Sequence, residues 1–234
     1  MPIDIKGLQK MDLMNFGSYP SATVFLSRCN FSCPFCHNPE LVSGYEKIKS
    51  MPEDEVISFL ISRKQWYDGV CITGGEPTLH KDLPKFISRL KKEGFKVKLD
   101  TNGTNPKMIA VLLEQNLVDY IAMDIKSPFE KYDFITRVKT DIAAIKESIK
   151  LIMESNIDYE FRTTIIPKFH KKEDIIAIAK AISGAKRYVL QQFRSTENML
   201  DNSLKDSQIY TKEELMEIKS AVEPYFKEIL IHNI

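Results

Sequence analysis

The feature that most constrains this chain is an alternation. From Ala22 to Gln192, short runs of β-branched and aromatic residues are followed, six times over, by longer runs or loops with apolar residues at helical spacing. Ala22 to Ser27, Gly69 to Thr73, Lys96 to Thr101, Val118 to Ile125, Tyr159 to Ile166 and Arg187 to Gln192 read as strands. Ser50-Met51-Pro52-Glu53 reads as a capping box that opens a helix through Val56, Ile57, Phe59, Leu60 and Ile61. Asp82 opens another through Leu83, Phe86, Ile87 and Leu90, and Gly94 ends it. Further helices are expected from Pro106 to Gln115, through Ile142, Ile145, Ile149 and Ile152, over 172–182, and from the capping box Thr211/Glu214 onward. Strands separated by helical crossovers pair in parallel. Six such units in 234 residues fall short of the ~250 residues of a full eight-fold barrel. The expected fold is therefore α/β, an open partial (β/α)6 barrel in one domain over 1–234. Residues 1–20 would form a cap or edge strand, Glu228 to His232 has the residues for a final strand, and the polar, aperiodic stretch 193–210 reads as a surface or lid loop.

The unusual polar residues fall at one end of these units. Arg28 to Glu40 (RCNFSCPFCHNPE) follows the first strand, Gly74-Gly75-Glu76-Pro77 the second, and Asp100-Thr101-Asn102-Gly103 closes the third. Met123-Asp124-Ile125-Lys126 closes the fourth, and Arg194 lies just past the sixth. The C-terminal ends of parallel barrel strands form one rim, where sites are built. Paired glycines let backbone approach a ligand, and the Glu76 carboxylate can accept from an ammonium group; an ordinary βα turn is the other reading. Asp100 and Asp124 end neighbouring strands, and facing carboxylates need a proton or cation between them; capping of the following turns is the alternative. Arg162 lies within a strand, where an internal ion pair would also account for it.

Three of the four cysteines, Cys29, Cys33 and Cys36, sit in the first of these motifs in C-x3-C-x2-C spacing. Three thiolates on one loop suit a single metal centre. An iron–sulfur cube ordinarily takes four cysteines, so three leave one iron open to chemistry. A structural zinc site of three cysteines and His37 also fits the loop, although zinc ligands more often come as two C-x2-C pairs. Few cysteines in a sizeable chain with no visible secretory segment argue against disulfides. Cys71, within a strand, reads as a small core hydrophobe. Trp66 reads as core, and His80, His170 and His232 carry no signal.

The cysteine spacing, with Phe35 before the last cysteine, resembles the radical S-adenosylmethionine (SAM) enzymes. The continuation CHNPEL and the stretch Gly17 to Cys29 resemble activating enzymes of glycyl-radical enzymes, in particular that of anaerobic ribonucleoside-triphosphate reductase. The resemblance implies that Cys29, Cys33 and Cys36 hold a [4Fe-4S] cluster whose fourth iron is chelated by SAM. The reduced cluster cleaves SAM to a 5'-deoxyadenosyl radical, which takes a hydrogen from a glycine Cα of the partner. It further implies that Gly74, Gly75 and Glu76 hold the cofactor amino group, with Asn38, Asn102, Lys126 and Arg162 as further contacts. Asp100 and Asp124 would hold a monovalent cation, and Phe35 would pack on the adenine. Related activases often carry a histidine near the end of the last barrel strand; here the sequence reads QQFR, so Gln192 or Arg194 stands in its place. Neither a ferredoxin-like cysteine cluster nor a cysteine-rich C-terminal extension is present, so flavodoxin or ferredoxin would supply the electron.

The remaining composition narrows the field. A formal net charge of +1 gives no bulk attraction to nucleic acid. No apolar run reaches the ~20 residues of a membrane helix, and the N-terminus shows no targeting segment. The expectation is a cytoplasmic enzyme. A radical enzyme acting on another protein or a small molecule, and a non-catalytic zinc or redox module, are the alternatives.

Overall fold

The computed structural model describes residues 3–17 and 19–233. In chain order the elements are β1 (Ile5–Asp12), β2 (Ser21–Leu26), α1 (Pro39–Val42), α2 (Glu53–Ser62), β3 (Gly69–Gly74), α3 (Leu83–Lys92) and β4 (Lys96–Thr101). They continue with α4 (Pro106–Glu114), β5 (Tyr120–Asp124), α5 (Tyr132–Thr136), α6 (Ile142–Glu154), β6 (Asp158–Ile165), α7 (Lys172–Ala181), β7 (Arg187–Gln192), α8 (Lys212–Val222) and β8 (Glu228–His232). The strands form one open sheet in sequential order, β1 to β8. β1 pairs antiparallel with β2, and every later neighbour is parallel. The six expected strands are β2 to β7; Ile5–Asp12 supplies one edge and Glu228–His232 the other.

Register explains how the strands serve both the core and the site. Lys98 pairs with Tyr120, Asp100 with Ala122, Ala122 with Glu160 and Asp124 with Arg162, so these residues share one face of the sheet. Leu99, Ile121, Met123 and Phe161 alternate onto the other face and are fully buried. They belong to one apolar cluster with Phe86, Ile87 and Leu90 of α3, Ile109 and Leu112 of α4, and Ile145 and Ile152 of α6. Each such side chain contributes about 1.5–3 kcal/mol on burial, so the helices are held on the apolar face and the polar residues are left lining the other.

Two local expectations are corrected. Ser50 does not cap α2: its hydroxyl donates to Asp4 Oδ1 at 2.7 Å and accepts from Lys6 Nζ at 3.0 Å, and the helix starts after Pro52 with no side-chain cap. Trp66 is 57% exposed, because α2 ends at Ser62 and the following turn carries the indole off the buried stripe. The Thr211/Glu214 box is formed, with Glu214 N donating to Thr211 Oγ1 at 3.2 Å and Thr211 N to Glu214 Oε2 at 2.7 Å.

Candidate active site

The cysteine loop leaves β2 through Arg28, whose φ of +67° turns the chain sharply. The next turn fits against it backbone to backbone. Gly75 N donates to Leu26 O at 2.8 Å and Glu76 N to Arg28 O at 2.6 Å. A Cβ on Gly75 would lie 1.8 Å from Arg28 O, and one on Gly74, at φ +116°, 2.4 Å from Leu26 O. The paired glycines thus admit the root of the cysteine loop as a neighbour, a close approach only glycine allows.

Cys29, Cys33 and Cys36 line one cleft of about 220 Å3 with Phe35, His37, Asn38, Gly74, Gly75, Glu76, Asp100, Asn102, Asp124 and Lys126. These residues come from the ends of β3, β4 and β5 and from the loop after β2. All three thiols are free. Burial pushes the Cys29 thiol up to about 12 and the Cys33 thiol up to about 11, and raises Cys36 as well. One buried and two half-buried thiols without enough positive charge to ionise them suit a metal cluster, because a coordinating thiol is deprotonated outright by the cation it binds. His37 is engaged elsewhere: its Nε2 donates to Arg194 O at 2.9 Å and its ring stacks on Phe193. Among the described residues, no three His, Cys, Asp or Glu side chains stand close enough to hold a single metal ion. With His37 held by Arg194 and Phe193, the three cysteines fit a cluster with one open iron better than a zinc site that needs His37 as fourth ligand.

The carboxylates beside the cysteines are tied into the protein. Glu76 Oε1 accepts from Thr78 Oγ1 at 2.5 Å and Thr101 Oγ1 at 2.7 Å, and Oε2 from Asn102 N at 2.6 Å. Burial raises the Glu76 pKa, while these donors pull against the rise. Asn102 in turn donates from Nδ2 to Asn30 Oδ1 at 2.8 Å, which anchors the cysteine loop to the end of β4. Arg162 does not line the cleft. It lies beneath it, with Nε donating to Asp124 Oδ1 at 2.9 Å and Nη1 3.5 Å from Asp100 Oδ2. Lys126 Nζ donates to Asp124 Oδ2 at 3.0 Å. Burial works to raise the Asp124 pKa, but Arg162 and Lys126 outweigh it and bring it to about 2. Asp100 Oδ1 is buried without a hydrogen-bond partner among the described residues, although Lys98 Nζ stands 3.3 Å away.

Several residues of this arrangement were not singled out from the sequence. Lys98, 2% exposed at its side chain, and Glu160 complete the charged network under the cleft. Their signal was a lysine and a glutamate placed on alternate positions of buried strands. His170 is fully buried; its Nε2 donates to Lys126 O at 2.8 Å and its Nδ1 accepts from Ile166 N at 3.3 Å. Phe35 packs against Phe169 and His170. Arg194 is exposed and outside the cleft, and Gln192 is turned away to hydrogen-bond Tyr210. Arg194 thus meets the site only through its carbonyl oxygen, because β7 ends at Gln192 and the chain then runs outward over His37.

An open sheet of sequential parallel strands, with three cysteines at the rim beside acidic and basic strand ends, is the architecture of a radical SAM enzyme. Residues 23–182 match the Radical SAM superfamily, and the chain belongs to it. Over nearly its full length it is similar to a protein of Methanocaldococcus jannaschii whose name, itself a provisional assignment, is glycyl-radical enzyme activating enzyme. The two are 35% identical over 238 residues, covering 98% of this chain and 96% of the relative. It is also 30% identical, over 67% of this chain and 63% of the relative, to the 7-carboxy-7-deazaguanine synthase of Methanospirillum hungatei. A domain of pyruvate-formate lyase-activating enzyme from Bacteroides vulgatus shares the fold with a TM-score of 0.57 and 17% identity, covering 70% of this chain and 99% of that one. Streptococcus suis SuiB bound to SAM does so with a TM-score of 0.65 and 16% identity, covering 87% of this chain and 48% of that one.

Proposed function

We propose that this chain is a radical SAM activase that takes a hydrogen from a backbone glycine of a glycyl-radical enzyme, with anaerobic ribonucleoside-triphosphate reductase as the expected partner. The observation that carries the reading is the cleft itself: three free thiols, a lysine and two aspartates facing one volume, in a chain similar end to end to a protein named as such an activase. Cys29, Cys33 and Cys36 would hold a [4Fe-4S] cluster, which when bound supplies the electron that cleaves SAM and so generates the agent of hydrogen abstraction. Flavodoxin or ferredoxin would reduce it.

The chain's own residues bind and orient. Lys126, fixed by Asp124 at its ammonium and by His170 at its carbonyl, presents a positive charge to the cofactor carboxylate. Asn38, Asn102, Gly74, Gly75 and Glu76 line the wall that would receive the amino group, and Phe35 offers an apolar face to the adenine. Arg162 supports this wall from beneath as the counter-charge to Asp100 and Asp124. A monovalent cation at Asp100 and Asp124 would have to compete with Lys98, 3.3 Å from Asp100 Oδ1, and with Arg162 and Lys126, which already pair with the two carboxylates. The cleft is open, so the partner's glycine-bearing loop would complete its closure against water.

The test is anaerobic assembly of the cluster, addition of SAM and reductant, and assay for 5'-deoxyadenosine, followed by incubation with an anaerobic ribonucleotide reductase. A glycyl-radical doublet in electron paramagnetic resonance is expected. Cleavage of SAM without a doublet from any glycyl-radical enzyme would favour the second reading, a small-molecule radical enzyme, to which the likeness to 7-carboxy-7-deazaguanine synthase gives weight.

A further inference from the structure

We propose that two segments outside the cysteine loop form a clasp around it, closed by Arg137 and Asp201, and that this clasp keeps the loop in the shape that retains its cluster. The inference rests on the reading of Cys29, Cys33 and Cys36 as cluster ligands and adds residues that no comparison assigns.

The loop is irregular, so no strand ladder or helix fixes its backbone between the cysteines. Each gap of the C-x3-C-x2-C spacing is instead gripped by a backbone hydrogen bond from outside, and the first gap is also tied to the end of β4 through Asn30. In the first gap, Ser32 N donates to Thr136 O at 2.8 Å. In the second, Pro34 O accepts from Asp201 N at 3.0 Å. The two grips come from distant segments, one after β5 and one after β7, and the ion pair joins them where they act. Arg137, next to Thr136, donates through its guanidinium to Asp201 Oδ2.

Both grips are prepared locally. Thr136 is buried, with its hydroxyl donating to Tyr132 O at 2.8 Å, and Tyr132 packs edge-on against Phe31 of the cysteine loop. Asp201 Oδ1 accepts from Ser203 N at 3.1 Å, while Met199 and Leu204 on either side are buried. The two ends of 193–210 are pinned too. His37 Nε2 donates to Arg194 O at 2.9 Å, and Gln192 holds Tyr210 with Nε2 to O at 2.6 Å and Tyr210 N to Oε1 at 3.3 Å. The stretch 193–210, read from sequence as a surface or lid loop, is largely exposed and meets the cysteine loop at Arg194 and Asp201.

An exposed ion pair adds little to fold stability by itself. Its importance here lies in what it joins, because groups that hold metal ligands in place govern how well the metal is kept. Arg137 also adopts φ +57°, a backbone conformation that suits glycine better than arginine. Arg137 is the left-handed C-cap of α5, a position that glycine fills most readily.

That conformation provides a discriminating variant. Arg137→Gly removes the guanidinium while relieving the backbone, so the cluster-free chain should unfold at an unchanged or higher temperature. After anaerobic assembly of the cluster, Arg137→Gly and Asp201→Ala should each lose iron to a ferrous chelator about tenfold faster than wild type, the lower end of the effect typical when a group supporting a metal ligand is lost. Decay of the visible cluster absorbance, with iron and sulfide analysis, reads the rate. The exchange Arg137→Asp with Asp201→Arg should restore most of the retention. Wild-type loss rates in both single variants would overturn the clasp, as would faster loss that follows lowered thermal stability and is not restored by the exchange. A wild-type chain that assembles no cluster would instead overturn the ligand assignment beneath the proposal, and the proposal with it.

Discussion

Asn102 donates its backbone N–H to Glu76 Oε2 at 2.6 Å, a contact that joins the turn after β3 to the end of β4. The same carboxylate takes the hydroxyls of Thr78 and Thr101 on its other oxygen. Glu76 is thus a staple between two rim loops as well as part of the cleft wall. Glu76→Ala would leave these donors buried and unpaired, at roughly 1–3 kcal/mol for each. Urea unfolding should show a total loss of about 3–5 kcal/mol, an exceptional value for one substitution. A loss under about 1 kcal/mol would mean that water reaches these donors and that the staple is not structural.

Gly75→Ala tests the junction between the two motifs nearest the cysteines. The added Cβ would lie 1.8 Å from Arg28 O, a backbone atom that cannot rotate away. The turn after β3 must then separate from the root of the cysteine loop, breaking Glu76 N to Arg28 O and Gly75 N to Leu26 O. The expected variant keeps its helical circular dichroism but binds iron at less than about a tenth of the wild-type level, as expected when the support of a metal ligand is lost. Iron and sulfide analysis after anaerobic assembly measures it.

The fold was legible because its signal is periodic. Leu99, Ile121, Met123 and Phe161 face the helices, whose own apolar residues recur at helical spacing. The rim was legible because motifs at strand ends must converge in a parallel sheet. What sequence did not show was direction and partnership within the site. Glu76 lines the cleft and is also held by Thr78, Thr101 and Asn102, whereas Arg162 lies outside the cleft lining and is held by Asp100 and Asp124. Such pairings depend on register between strands distant in sequence. His170 and Asp201 were missed for the same reason, since each acts on a segment reached only through the fold.

Asp174 makes acid stability a measurable consequence of one contact. It caps α7 by accepting from Lys171 N at 3.0 Å, and it pairs with Lys131 Nζ at 2.7 Å. Burial works to raise its pKa, but the Lys131 ammonium and the Lys171 N–H outweigh it and hold the carboxyl below its ordinary value of 3.8. A carboxylate whose pKa is lower in the folded than in the unfolded chain stabilises the fold above the unfolded value and ceases to do so as pH falls through the folded one. Asp174→Asn is isosteric with the protonated acid. It should lower stability by about 0.5–1 kcal/mol at neutral pH, and the gap to wild type should close as pH falls below 3.8 toward the folded value. Thermal melts of both proteins across that range test the sign. A gap that widens in acid would contradict it.

The two kinds of cysteine separate structure from chemistry most sharply. Cys71 is fully buried in the middle of β3, and its Sγ accepts from Asn15 Nδ2 at 3.1 Å. Burial holds its thiol well above the ordinary range, and it does not line the cleft. It behaves as a small packing group. Cys71→Ala should cost about 1 kcal/mol from the small void it leaves and should keep both iron and the reductive cleavage of SAM. Cys33 lines the cleft with a free thiol that only a bound cation would readily ionise. Cys33→Ala should unfold within about 1 kcal/mol of wild type, because the buried thiol packs in the core only as a small group, yet produce no 5'-deoxyadenosine. Cys29→Ala and Cys36→Ala should match it. Iron content, denaturant unfolding and nucleoside assay on the same preparations give the contrast. A Cys71 variant that folds but lacks iron would show that the fourth cysteine had been misread, while cleavage by a Cys33 variant would remove the ligand triad on which the site is built.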